Sequence, residues 1–239
     1  MAIVIDNTTI GSGKQVAPSA TCAFNTTATV SANGFIVLGI GGFLAAGGGT
    51  IVSVAGGGLT WAIDKQGDVA TDIFCGVASA QAPAGLTSGT TITVTFGSAS
   101  TEAEAVGGMS FTGVASSSAL DTTSAPTAGS GTAWASASTS ILAGSVLVAA
   151  CMDSTGSLPT STITSPSIES FDIGDAVGYG VTAGYRIEPS AGSYTVAGTW
   201  TVSSDNVTCA AAYKAAAAVA AAPSLRFTKL PKKLMMGRP

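Results

Sequence analysis

Glu102 and Glu104, two residues apart, are the first place in this 239-residue chain to look for acid–base chemistry. On a strand such a pair points to one face, and glycosidases set two carboxylates roughly 5–10 Å apart around the scissile bond. The surrounding segment, TEAEAVGG, offers no third acid and no tryptophan, so a solvated strand face is the expected role. Asp64, Asp68 and Asp72 recur at intervals of four, and Asp172 and Asp175 flank Ile173-Gly174. Calcium takes about six to eight oxygens, largely from loops. Neither set matches an EF-hand loop, and both read as polar turns. The chain has no histidine, which removes Ser-His-Asp and Cys-His catalysis and the commonest zinc sites. These residues together predict a protein that is not an enzyme and holds no cofactor or metal.

Three tryptophans could stack on a sugar ring. Trp200 alternates with apolar neighbours and reads as core, whereas Trp134 lies among Gly, Ser, Thr and Ala and is the expected exposed aromatic. It is the ligand-binding candidate if the chain is a carbohydrate-binding adhesin or a tail-fibre receptor-binding module. Cys22, Cys75, Cys151 and Cys209 form no CxxC pair, and each sits in an apolar, strand-like context. Four buried reduced thiols are expected; a Cys22–Cys209 disulfide is the alternative if the first and last strands are neighbours. Asn7, Asn25 and Asn206 begin N-x-T sequons, which a threonine-rich chain produces by chance.

The elements that must position these groups are strands. Phe35–Ile40, Thr50–Val54, Leu59–Ile63, Asp72–Ala78, Thr90–Phe96, Glu102–Phe111, Ile141–Asp153, Val177–Ile187, Gly192–Val202 and Val207–Tyr213 are rich in Val, Ile, Thr and aromatics. TTITVTF, residues 90–96, alternates apolar and polar as a half-buried antiparallel strand requires. Glycine and proline clusters punctuate the runs. Residues 115–139 read as a long small-residue connection and residues 154–176 as an exposed loop. Ten or more short strands at this spacing predict an all-β, antiparallel two-sheet sandwich of jelly-roll type.

Composition sets the frame. The chain is 46% hydrophobic and only 9% charged, against about a quarter charged in ordinary soluble domains. Disordered segments are polar and highly charged, and the 31 glycines follow no three-residue period, so disorder over most of the chain and collagen are excluded. The longest apolar stretch, Phe35 to Ala46, is 12 residues broken by three glycines, too short for a spanning helix of about 20. MAIVIDNTT lacks a basic n-region and a long apolar h-region. No signal peptide and no membrane association are therefore expected, with assembly in a host cytoplasm.

GGGLTWAIDKQ, APAGLTSGTTITVTFGSA, GGMSFTGVA and YRIEPSAGSYTVAGTWTVSSDNVTCAAAYK resemble segments of the β-sandwich domains common in phage virion proteins and bacterial surface proteins. The likeness spans roughly residues 20–214 and carries no catalytic signature. It implies a concanavalin-like or jelly-roll sandwich and, by analogy, a virion structural component such as a head decoration, capsid or tail-fibre protein.

Charge divides the chain into a body, residues 1–214, and an arm, residues 215–239. Residues 1–213 hold three cations against thirteen acids, a net of −10, while residues 214–239 carry six cations and no acid. Ala215 to Ala222 suits a short helix or a plain spacer. Pro223 ends it, and apolar and basic residues then alternate: Leu225, Arg226, Phe227, Lys229, Leu230, Lys232, Lys233, Leu234 and Arg238. These are the expected partner-binding residues. An acidic body repels nucleic acid and attracts the arm of an identical neighbour, so the expected partners are protein subunits of the same assembly, in a homo-oligomer.

Overall fold

Alternation decides the local structure of Thr91–Ser100: Ile92, Val94 and Phe96 are buried while Thr91, Thr93 and Thr95 face outward. Gly34–Phe43 follows another rule. GFIVLGIGGF is buried on both faces, as a strand covered above and below must be. In the computed structural model, which describes residues 1–16, 19–43, 50–68, 73–100, 103–154, 160–174 and 179–217, that strand is the middle of a stack of sheets.

The central sheet runs β1 (Val4–Val16), β8 (Ala103–Thr112), β3 (Gly34–Phe43), β6 (Ile73–Ala82), β5 (Trp61–Asp68). One face meets a three-stranded sheet of β2 (Ser19–Asn25), β7 (Thr91–Ser100) and β4 (Ile51–Gly56). Ile36, Leu38, Ile40 and Phe74 fill that interface with Ile92, Val94 and Phe96. The other face meets a larger sheet, β10 (Thr127–Ala135), β17 (Ala197–Tyr213), β12 (Val146–Asp153), β15 (Gly180–Ile187), β14 (Ile168–Gly174). β9 (Leu120–Thr123) and β13 (Ser161–Ile163) also pair with β17. Phe35, Val37, Val77 and Phe111 pack there against Val148, Ala183, Tyr185 and Tyr213. The two-stranded β11 (Thr139–Ile141) and β16 (Gly192–Tyr194) complete the fold, and Ile141, Trp134, Trp200 and Val196 cover the far side of the large sheet. Every ladder is antiparallel.

The all-β antiparallel sandwich is therefore present, with three stacked sheets in place of two. Gly39 and Gly107, register partners on β3 and β8, set how closely two of them approach. The Phe171 ring of β14 lies over both, so that a Cβ on Gly107 would stand 2.6–2.7 Å from three of its ring carbons.

Several expectations need correction. Residues 115–139 hold β9, β10 and the start of β11, and residues 154–176 hold β13 and β14. β10 is built of small residues and owes its form to backbone pairing with β17 from Thr127↔Thr208 to Ala135↔Ala197. The run 141–153 is broken by a turn at residues 142–145, and residues 197–213 form one strand where two were expected. β2 carries the strand-like context expected around Cys22, whereas β1 has no counterpart among the expected strands. A Cys22–Cys209 disulfide is excluded: Cys22 lies between the central and three-stranded sheets and Cys209 on the opposite side of the central sheet. All four thiols are free and buried. Ala215 bridges Val114 rather than starting a helix. Residues 218–239, and with them every expected partner-binding residue from Leu225 to Arg238, lie outside the described residues.

Candidate functional site

A β-bulge makes the chief candidate. On β5, Ile63 pairs with Ala78 and Lys65 with Val77, leaving Asp64 as the extra residue. Such bulges re-aim a side chain. The hydroxyl of Tyr213, the last residue of β17, donates to Asp64 Oδ2 at 2.7 Å, and Ser79 on β6 also hydrogen-bonds the carboxylate. Tyr213 is fully buried, its ring 4.9 Å from that of Phe35. Burial pushes the Asp64 carboxyl above its usual range, more than the Ser79 and Tyr213 hydrogen bonds lower it. Burial first, and then the Asp64 charge, push the Tyr213 phenol well up. The shared proton therefore stays on the tyrosine, and Asp64 is the acceptor.

Asp64 faces a cleft of about 340 Å³ whose walls include Phe35, Ala62, Gln81, Ser116 and Leu120. Residues of the 115–120 segment form one wall, and Ala115, Ser116 and Ser117 also line a second hollow of about 510 Å³ with Lys214 to Ala217. This segment is strapped to the root of the arm. Ala115 N donates to Lys214 O (3.0 Å), Lys214 N to Ala119 O (3.0 Å) and Ala216 N to Gly113 O (2.7 Å). The Met1 amino group donates to Ala216 O (2.8 Å). No family model, curated protein or solved structure matches the chain. The site must be read from its own chemistry.

Asp64 is the one carboxylate among the described residues lining this cleft, so the paired-carboxylate arrangement of a glycosidase is not assembled there. A carboxylate in a half-buried, partly apolar cleft accepts hydrogen bonds and attracts cations. It is fitted to hold a basic group with an apolar stem.

Trp134 is not the exposed aromatic the sequence suggested. It is 3% exposed, lies against Gly198 and donates from Nε1 to Ser161 Oγ at 3.3 Å. Its small neighbours mark β10, and the aromatic ring turns inward from it. Trp200 is core, as expected. Glu104 is 1% exposed, which corrects the solvated-face reading: β8 is flanked by β1 and β3, and Glu104 faces Cys22, whose thiol burial and the Glu104 charge push up to about 12. Glu102, Asp72 and Asp175 lie outside the described residues. Among the described residues no three potential ligands are grouped to hold a metal ion, and no helix is long and apolar enough to cross a membrane.

A second polar patch escaped the sequence reading. Register places Asp172, Thr182, Cys151 and Thr208 side by side across four strands of the large sheet. Burial, the Glu169 charge and the Asp153 charge push the Asp172 carboxyl up to about 6 against the opposing hydrogen bond from Ser161 N (2.7 Å). Ser204 Oγ donates to the fully buried Asp153. Thr182, Cys151 and Thr208 are fully buried within the sheet and Asp172 partly so.

Proposed function

We propose that the chain is a non-enzymatic structural subunit of a phage or virus-like particle, a decoration, capsid or tail component. In this reading the body is a sandwich of jelly-roll type, and the arm, residues 215–239, joins it to neighbouring subunits. The observation that carries the reading is the fixed root of the arm. Met1, Gly113, Ala115 and Ala119 hold residues 214–216 by backbone hydrogen bonds, so pull on the arm is delivered to a layered β body. Chain path supports the jelly-roll assignment: apart from the adjacent pair β5–β6 in the central sheet, β1 to β8 alternate between the central sheet and the three-stranded sheet. Charge supports the choice of partner, since residues 1–213, at a net −10, suit an arm carrying Arg226, Lys229, Lys232, Lys233 and Arg238. The glycan-binding alternative rested on an exposed Trp134, and the burial of that ring withdraws its support.

Deleting residues 223–239 tests the reading. The truncated chain is expected to keep the far-ultraviolet spectrum and cooperative unfolding of the parent while losing assembly, as seen by sedimentation velocity. Normal assembly of the truncated chain would sink the proposal.

A further inference from the structure

We propose that the Asp64 cleft is the socket for the arm of a second copy of this chain, one arm cation seated on the Asp64 carboxylate and the neighbouring apolar side chains on the cleft walls. This inference rests on the arm-mediated assembly proposed above and names the surface that receives it.

Chemistry of the two surfaces comes first. The cleft offers a half-buried carboxylate between apolar walls that include Phe35, Ala62 and Leu120, the last 39% exposed. Beyond Pro223 the chain reads SLRFTKLPKK, a cation beside an apolar residue at almost every step. In an extended segment alternate side chains point to opposite sides, so Leu225, Phe227 and Lys229 share one side. That set matches a cleft with apolar walls and one deep carboxylate. Burial holds Asp64 above its usual range, which is the condition of a carboxylate that gains from a cation more than a fully hydrated one does.

Position comes second. Ala115 and Ser116 line both the cleft and the hollow at Lys214–Ala217, so each copy's cleft opens beside the root of its own arm. From Ala217 to Leu225 the chain has eight steps, about 12 Å if helical and roughly 26 Å if extended. A spacer of that length is long enough to reach across to an apposed copy. Two copies that present this same end to each other would place each arm at the other's cleft, an isologous exchange that closes on itself. The cleft and the root of the arm then form one continuous interface.

Cross-linking the full chain tests this. The four native thiols are buried, so Ser116→Cys, at the exposed rim of the cleft, adds a single reactive thiol for a benzophenone maleimide. A mixture of ¹⁴N- and ¹⁵N-labelled protein is irradiated and digested. The expected products are mixed-label peptides joining residue 116 to residues 223–239. Their yield should fall about tenfold on adding Asp64→Asn, the factor that roughly 1.4 kcal/mol of lost contact represents. Asp64→Asn keeps an acceptor for Tyr213. Should it nonetheless unfold, Ala62→Arg, at an exposed position on the same wall, is expected to give the same loss by repelling the arm. Exclusively single-label products would overturn the inference, as would cross-links to other segments, no cross-links, or yields that neither substitution changes. If the 223–239 deletion abolishes assembly while these cross-links miss the cleft, the arm bridges subunits through a different surface. If the deletion leaves assembly intact, both readings fall.

Discussion

Gly107→Ala probes the closest approach of the layers. The added methyl would lie 2.6 Å from Cδ1 and 2.7 Å from Cε1 and Cγ of Phe171, well inside the roughly 3.5–4.0 Å of a relaxed carbon–carbon contact. The same ring also covers Gly39, its Cζ 3.0 Å from where a Cβ there would stand. Inserting a methylene into a filled core costs about 1–3 kcal/mol. Replacing glycine also narrows the unfolded ensemble, which offsets roughly 0.4–1 kcal/mol. A net loss of about 1–2 kcal/mol lowers Tm by roughly 2–8 °C in a chain of this size. Calorimetry or thermal circular dichroism reads the shift. Phe171→Leu provides the internal control: with the ring gone, the cost of Gly107→Ala should shrink by about 1 kcal/mol in a double-mutant cycle. A Tm at or above the parent's, or an unchanged cost in the Phe171→Leu background, would refute the stacking of β14 on β3 and β8.

Trp134→Ala should behave as a core truncation, costing about 3–5 kcal/mol in chemical denaturation, and parent-like stability would contradict its burial. Asp172→Asn should make stability less dependent on pH. The carboxyl is held at about 6 in the folded chain against roughly 4 when unfolded, so its favourable contribution is full below pH 4 and is lost as pH rises through 6. The variant should therefore gain on the parent between pH 4 and 7, whereas a parent that gains on the variant over that range would reverse the assignment. The comparison cancels the opposing slope from Asp6, for which burial alone would raise the carboxyl but hydrogen bonds from Ser31, Ser110 and Asn7 hold it below its usual range.

What could be read from sequence followed the side chains, and what could not followed the backbone. β7 was legible because one of its faces is wet, so Thr and apolar residues alternate. β3 was legible as an apolar run, but a run does not say that both faces are covered, and the third sheet went unseen. β10 carries almost no hydrophobic signal, since its strand form comes from its register with β17. β1, with polar residues and irregularities between Ile5 and Gly11, is likewise fixed by β8. Trp134 was misplaced because its burial comes from Gly198 and Ser161, far away in sequence. Asp64 was placed just beyond the end of a strand, since an aspartate usually ends one. Only the register of β5 with β6 reveals the bulge that turns it toward Tyr213. The charge asymmetry was plain in the residue order, and the structure added where the arm is rooted.

In the function proposed, the chain binds copies of itself through its arm. Light scattering on the purified full-length chain at about 0.15 M salt measures that directly. The expected result is a defined oligomer or particle, a multiple of the 23.1 kDa chain mass, that loosens as added salt screens the arm's charges. A monodisperse 23.1 kDa monomer across the micromolar range and at low salt would contradict it.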